Sequence, residues 1–382
     1  MINKKILKLE RELNAYFLER DEIIRGLMVA AIAKGNLLIL GPPGTAKTAL
    51  SEMLCGQLNA KFFSRLLTKV SAPEELFGPL SLKALENDVY RRVTTGRLPE
   101  ADIAVIDEVF KCNSAVLNTL LPILNERVYF DDSAQAKPIP LQVLVGLSNE
   151  LPDGGVDGEL AALWDRFDLR FTVDYVKDER NFASMLKLNG HKPATTLSLQ
   201  ELTIAQKQAE QVRISDDTIN TLVRLWKELR SQGIVISDRR FRNSLRFLKA
   251  HAWLEGRVEI AEDDIAILSN MLWTEPEQIK QIKKIVLGFA NPLTAQANQI
   301  FDSAFELAAK LKETSDGAEQ TALATEANHK FKVALKMLEI LVKQAKIEGK
   351  ATGKIIERLA QIREMNENVV NIYLLGMTAY EK

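Results

Sequence analysis

Leu37-Leu38-Ile39-Leu40-Gly41-Pro42-Pro43-Gly44-Thr45-Ala46-Lys47-Thr48 is the stretch that decides the fold of this chain. Four consecutive apolar residues closed by a Gly/Pro turn read as a short buried strand. Ala49–Leu58 reads as a helix, so the turn joins a strand to a helix. In that setting backbone N–H groups can converge on a phosphate, and the helix N-terminus adds positive potential. Lys47 is expected to neutralise β/γ oxygens, and the Thr48 hydroxyl to hold Mg²⁺. Nucleotide contacts are expected along Gly41, Pro42, Pro43, Gly44, Thr45, Ala46, Lys47, Thr48 and Ala49. The stretch departs from G-x-x-x-x-G-K-[ST] at Ala46, where the second glycine would stand. Alanine fits there if φ is negative, whereas a left-handed φ costs about 1–2 kcal/mol.

Two further apolar runs extend the pattern. Ile103-Ala104-Val105-Ile106 reads as a buried strand ending in Asp107-Glu108, and Leu141–Leu147 as another, ending near Ser148-Asn149-Glu150. Asp107 at a strand tip suits Mg²⁺ held through water, and Glu108 suits a base that deprotonates the attacking water. Short buried strands alternating with helices indicate an α/β domain with a mostly parallel sheet. Residues 3–34 read as two amphipathic helices broken near Glu19-Arg20-Asp21. A Pro/Gly-punctuated stretch, Pro73–Pro99, separates the first two strands.

From about Asp178 the strand signals fade. Residues 178–275 read as a helical bundle with polar links at Asn189–Ser198 and Gly233–Ser237. After Pro276 three apolar stripes recur at helical spacing. The first is Ile300, Phe301, Ala304, Phe305, Ala308 and Leu311. The second is Phe331, Ala334, Leu335, Leu338, Leu341, Val342 and Ala345. The third is Ile355, Leu359, Ile362, Val369 and Tyr373. They predict a three-helix bundle or helical hairpin with turns at Thr314–Gly317 and Glu348–Gly353. The expected organisation is a nucleotide-binding core over 1–177, a helical lid over 178–275 and a helical C-terminal domain over 276–382.

The 382 residues carry 50 Lys/Arg against 51 Asp/Glu, a net charge of −1. That balance argues against a nucleic-acid coat or a binder of anionic membranes. Cys55 and Cys112 cannot build a disulfide framework, and with the dispersed His191, His251 and His329 they offer no zinc spacing. A reducing cytoplasm is the simplest expectation. The first ten residues make a poor signal peptide, and runs such as Leu27–Ala33 fall far short of the roughly 18 residues of a membrane span. A soluble protein without a membrane span is expected.

Gly41–Thr48, Asp107-Glu108, Ser148-Asn149-Glu150 and Trp164-Asp165-Arg166-Phe167 together resemble an AAA+ ATPase. Ala46 before the lysine, Pro73-Glu74-Glu75-Leu76-Phe77-Gly78-Pro79-Leu80 and Gly96-Arg97-Leu98-Pro99-Glu100 resemble more closely the MoxR family, in particular its RavA branch. The resemblance spans about residues 10–275. In that family alanine is usual at this loop position. The resemblance implies that Asn149 is sensor 1, placing the lytic water beside Glu108. It implies that Arg166 is an arginine finger acting on a neighbour's nucleotide, with Arg170 as the fallback and a surface ion pair to Asp165 or Asp168 as the plainer alternative. Arg239 matches sensor 2, although the adjacent Arg240 could take that role. Pro79–Thr94 sits where a helix-2 insertion is expected, and Arg127–Pro140, with Asp131-Asp132 in a turn, resembles a pre-sensor hairpin. The RavA branch carries a small β-rich module in its tail, and residues 276–382 show only helical stripes.

The resemblance therefore implies an ATP- and Mg²⁺-dependent ATPase forming a hexameric ring. Its implied role is chaperone-like, remodelling or loading a client, with a von Willebrand factor A-domain protein as partner. No Asn/Thr-Lys-x-Asp motif follows the loop to read guanine, which favours ATP. Two alternatives stand beside this. One is a motor subunit of a nucleic-acid machine, disfavoured because the tail from Pro276 holds 15 Lys/Arg against 13 Asp/Glu with no basic run. The other is a nucleotide-dependent assembly scaffold, disfavoured by Glu108 and Arg166.

Overall fold

The computed structural model describes residues 2–130, 136–151, 160–187, 192–314, 317–348, 350 and 352–374. They fall into two compact units, one running to Ile282 and one from Lys283.

The first unit is built on strands β1 (Asn36–Leu40), β2 (Phe62–Leu66), β3 (Ile103–Asp107), β4 (Val128–Phe130), β5 (Ala136–Pro138), β6 (Val143–Ser148) and β7 (Leu169–Thr172). Five of them form one parallel sheet in the order β2-β3-β6-β1-β7. Every residue of β1 and β6 is buried. Both faces of the sheet centre are therefore covered, which is why these strands read as unbroken apolar runs. Leu40 pairs with Ser148, and Ile106 with Gly146. β1, β6 and β3 thus end at the same edge of the sheet, where ligands of open parallel sheets bind.

Two sheet strands carry no such apolar run. β2 lies at the edge, and three of its five residues are exposed. β7 is interrupted by Arg170, which is fully buried. Its guanidinium lies 4.5 Å from the Trp164 ring centroid and donates to the Trp164 carbonyl at 2.9 Å and to the Trp273 carbonyl. A cation is tolerated in this core because both terminal nitrogens donate to carbonyls and its face lies on indole, although Nε has no partner.

Helices α1 (Ile2–Tyr16), α2 (Asp21–Ala33) and α3 (Lys47–Gln57) come early in the chain. α1 is amphipathic as its pattern indicates. α2 is not, because Ile23, Ile24 and all of 26–32 are buried. It packs against the sheet on one side and later helices on the other. Short helices α4 (Pro73–Phe77) and α5 (Leu82–Leu85) follow, the latter capped by Ser81 in a loop closed by a Leu80–Arg92 bridge. That closed loop occupies the expected insertion at Pro79–Thr94. α6 (Ser114–Glu126) leads into the antiparallel β4–β5 pair, a hairpin within Arg127–Pro140. Its turn, with Asp131 and Asp132, lies outside the described residues.

α7 (Ala161–Trp164) precedes β7. α8 (Glu179–Leu186), α9 (Leu199–Glu210), α10 (Asp216–Ser231) and α11 (Asp238–Leu254) then form the helical segment expected after Asp178. Ser198, Ser215 and Ser237 cap α9, α10 and α11 by accepting backbone N–H groups. Part of the Asn189–Ser198 link lies outside the described residues. α12 (Ile279–Ala290) comes next.

In the second unit, α13 (Pro292–Glu313), α14 (Gly317–Ile347) and α15 (Gly353–Asn368) share one apolar core. Ala304, Leu311, Phe331, Leu338, Ala345, Ile355, Ile362 and Val369 are all in it. Phe305 departs from its stripe and is 58 % exposed. Apart from the short links between helices, the described residues of this unit are helical, and none of them is in a strand.

Candidate nucleotide site

The phosphate-loop stretch leaves β1 at Gly41 and enters α3 at Lys47. Gly41 adopts φ 154°, and a Cβ built on it would meet the Val173 carbonyl oxygen at 2.2 Å. A side chain there would push β7 away from the loop. Ala46 has φ 62°, the left-handed conformation that an alanine pays for. The strain persists because the loop is fixed on both sides: Leu50 N–H donates to the Ala46 carbonyl, and the Thr45 hydroxyl to the Pro42 carbonyl at 2.9 Å. Relieving that strain gives a direct check. Ala46→Gly is expected to stabilise the first unit by roughly 0.5–1 kcal/mol, after allowing for glycine's entropy in the unfolded chain. All four tryptophans, Trp164, Trp226, Trp253 and Trp273, lie in that unit. Urea unfolding followed by their fluorescence reads it, and a lower midpoint would show that the Ala46 methyl contributes more than the strain costs.

Lys47 Nζ donates to Asn149 Oδ1 at 2.9 Å, to Pro42 O at 3.2 Å and to Gly41 O. Burial pulls its ammonium below the ordinary lysine range, against the opposite pull of Asp107 and Glu108. Asn149 stands just past β6 and donates from Nδ2 to Glu108 Oε1 at 2.7 Å. One amide thus connects the loop lysine to the carboxylate beyond β3. β6 lies between β1 and β3, so the residue that follows it reaches both.

Glu108 sits at φ 51°, in the left-handed region. Asp107 Oδ1 accepts the Glu108 N–H at 2.9 Å. Glu108 Oε2 is buried and accepts no hydrogen bond, although Lys111 Nζ lies 3.3 Å away. Lys111 also approaches Glu150, at 3.7 Å. Lys111 carries no sequence motif that would have singled it out. Thr48 and Asp107 supply hard oxygen donors at this edge, one hydroxyl and one carboxylate. That is the donor set of a Mg²⁺ that keeps waters and binds phosphate.

Arg166 and Arg239 are elsewhere. Asn36, the first residue of β1, donates from its amide to the Arg166 carbonyl and the Leu124 carbonyl, both at 2.9 Å. Arg239 donates to Asn125 Oδ1. Both arginines are therefore anchored at the opposite edge of the sheet, one strand length of about 13 Å from the loop. Trp164 and Phe167, both buried, pin the turn that carries Arg166, and Phe110 touches both rings with centroids 5.6 and 6.4 Å away. Arg166 donates to the Ala162 carbonyl, and its Nε has no partner. Burial, and then the nearby Arg239, lower its pKa. It is not in the surface ion pair that stood as an alternative. Asp165 pairs with Arg240 at 2.6 Å, and Asp168 with Arg246 at 2.8 Å.

Two fallbacks do not survive the geometry. Arg170 is fully buried between Trp164 and Trp273, so it cannot reach a neighbouring molecule. Arg240 is buried in its pairing with Asp165, whereas Arg239, one residue earlier in the first turn of α11, is exposed. No described helix is long and apolar enough to cross a membrane. No cluster of three or more His, Cys, Asp or Glu suited to a metal occurs among the described residues.

Residues 4–214 match the family model of the MoxR domain in the MoxR-vWA-beta-propeller ternary systems, and residues 217–286 match an AAA lid domain. An uncharacterized protein of Methanocaldococcus jannaschii is 40% identical over 79% of this chain and 78% of its own length. Chaperone MoxR1 of Mycobacterium tuberculosis is 22% identical over 56% of each chain. The crystal structure of a Cytophaga hutchinsonii protein superposes with a TM-score of 0.62 at 19% identity, over 76% of this chain and 95% of the other, a likeness of fold.

Proposed function

Since the chain belongs to the MoxR family of AAA+ ATPases, we propose that it hydrolyses ATP with Mg²⁺ at a site completed by a neighbouring copy in a hexameric ring. The observation that carries this reading is the hydrogen-bonded chain from Lys47 through Asn149 to Glu108. A lysine at a phosphate loop, an amide and a carboxylate converge at one sheet edge. There Lys47 meets β/γ oxygens, Asn149 orients water, and Glu108 takes its proton. Thr48 and Asp107 would hold Mg²⁺, whose charge neutralises the phosphoryl oxygens.

Arg166 and Arg239 contribute to the site of the next subunit. They are two neighbouring cations, one with an unpartnered buried Nε, at the edge away from their own phosphate loop. Such a pair seeks an anion, and a neighbour's γ-phosphate supplies one. Arg239 in the role of sensor 2 would then act in trans beside the finger.

Around this chemistry stands the wider reading: a cytoplasmic, chaperone-like machine that remodels or matures a client, working with a von Willebrand factor A-domain partner. The family match supports the partner through the systems for which it is named. Membership of the RavA branch rests on the sequence resemblance at Ala46, Pro73–Leu80 and Gly96–Glu100.

The test is calorimetry together with phosphate release. Wild-type protein is expected to bind Mg-ATP and release phosphate, and Lys47→Ala to lose nucleotide binding, because it removes the loop's cation. Unchanged affinity in Lys47→Ala would sink the assignment of the loop. Binding without any turnover by wild-type rings would favour the assembly scaffold.

A further inference from the structure

The break between α1 and α2 is not a plain turn. Glu19 adopts φ 59° there, and Arg20, the next residue, is 8 % exposed. Among the described residues the Arg20 guanidinium has no carboxylate partner within hydrogen-bonding distance. It spends its donors on three backbone carbonyls instead: Thr45 O at 3.3 Å, Asp174 O at 2.8 Å and Glu19 O at 2.8 Å. Thr45 belongs to the phosphate loop. Asp174 follows β7 at the start of the segment leading into α8.

Glu19 completes the connection from the other side. Its carboxylate accepts the backbone N–H groups of Lys177 and Asp178, both at 3.0 Å, and the Asn181 amide at 3.1 Å. Those bonds, that of Lys177 first, hold its pKa below the usual glutamate value, so it is ionised at neutral pH. Val173, just before this segment, lies against the loop: its N–H donates to the Leu40 carbonyl at 2.7 Å, and a Cβ built on Gly41 would meet its carbonyl oxygen.

α8 depends on these bonds. None of its eight residues is buried, and Phe182 and Leu186 are 48 % and 71 % exposed. A helix without buried side chains has little packing to hold it, so its place is set by the hydrogen bonds at its N-terminal end. Apart from α8's own cap at Asp178, those bonds come from Glu19.

We propose that Glu19 and Arg20 are positioning residues that couple nucleotide binding at the phosphate loop to the placement of residues 174–186, the entry to the helical lid. This rests on the reading that Gly41–Thr48 binds nucleotide. When phosphate orders the loop, the Thr45 carbonyl holds Arg20, Arg20 holds Asp174, and the adjoining Glu19 holds the start of α8. The coupling is reciprocal: whatever displaces 174–186 weakens nucleotide binding by the same factor. A client or partner acting on the lid would reach the site through these two side chains.

The experiment is hydrogen exchange on full-length protein, with and without Mg-AMPPNP, read at residues 41–50 and at 174–186. In wild type both segments are expected to gain protection, with 174–186 slowed about tenfold, within the usual range of coupling. Glu19→Ala is expected to keep the gain at 41–50 and reduce that at 174–186 to within about twofold. Arg20→Gln is expected to lower AMPPNP affinity about tenfold. Arg20→Lys is expected not to rescue it, because one ammonium cannot span three carbonyls as a planar fork does. A purely structural role would lower the melting temperature and the ligand-free protection in these variants, yet leave the ratio with and without AMPPNP unchanged. That unchanged ratio in Glu19→Ala overturns the proposal, even if Arg20→Gln fails to fold. Wild type that gains no protection at 41–50 overturns the nucleotide reading itself, and the couple with it.

Discussion

Arg166→Ala is expected to leave ATP binding intact and to lower turnover by about 10³–10⁵-fold, the usual contribution of an arginine that stabilises charge on the transferring phosphoryl group. Binding survives because Arg166 lies at the sheet edge opposite Lys47, tied through Asn36 to the start of β1. The fold survives because the turn around it is held by buried Trp164 and Phe167 rather than by the arginine. The side chain itself makes one hydrogen bond, to the Ala162 carbonyl, and is pressed by the like charge of Arg239. Removing it takes away little local stability. Steady-state phosphate release and nucleotide calorimetry on the same preparation check both halves. Turnover within tenfold of wild type would leave Arg166 without a catalytic role.

Glu108→Gln is expected to bind ATP and to slow hydrolysis by about 10²–10⁴-fold, the range of general base catalysis. The amide keeps the shape of the side chain, and its oxygen can still accept from Asn149 Nδ2, as Glu108 Oε1 does at 2.7 Å. What it loses is the proton-accepting carboxylate. Single-turnover kinetics at saturating Mg-ATP separate this from a binding defect. Near-normal turnover would move the base elsewhere, with Glu150 the next carboxylate at this edge, 3.7 Å from Lys111.

The edge that carries the candidate nucleotide site was legible because β1, β3 and β6 are buried along their apolar residues and read as apolar runs followed by Gly41, Asp107 and Asn149. β2 and β7 were not legible. An exposed edge strand such as Phe62–Leu66 has no reason to be apolar throughout. Arg170 breaks the pattern of β7, and only the distant Trp273 and the preceding Trp164 explain its burial. The motif around Arg166 could be read from sequence, but which arginines were spent on structure could not. Arg170 and Arg240 look as available in sequence as Arg166 and Arg239, and the fold buries the first two. The conformation of Ala46 was likewise open until its φ of 62° placed it in the left-handed region. Arg20 carried no motif at all, since three carbonyls from 1, 25 and 154 residues away define its role.

If two copies of this chain share one active site, phosphate release from rings that mix Arg166→Ala and Glu108→Gln subunits will show it, with a mass tag on one variant to prove that the rings are mixed. Each variant alone is expected to be nearly inactive. In a mixed ring some interfaces bring an intact Glu108 from one subunit against an intact Arg166 from the next, so partial recovery of turnover is expected. If Arg166 served its own subunit, no mixed interface would hold both groups, and verified mixed rings with no recovered turnover would contradict the shared site.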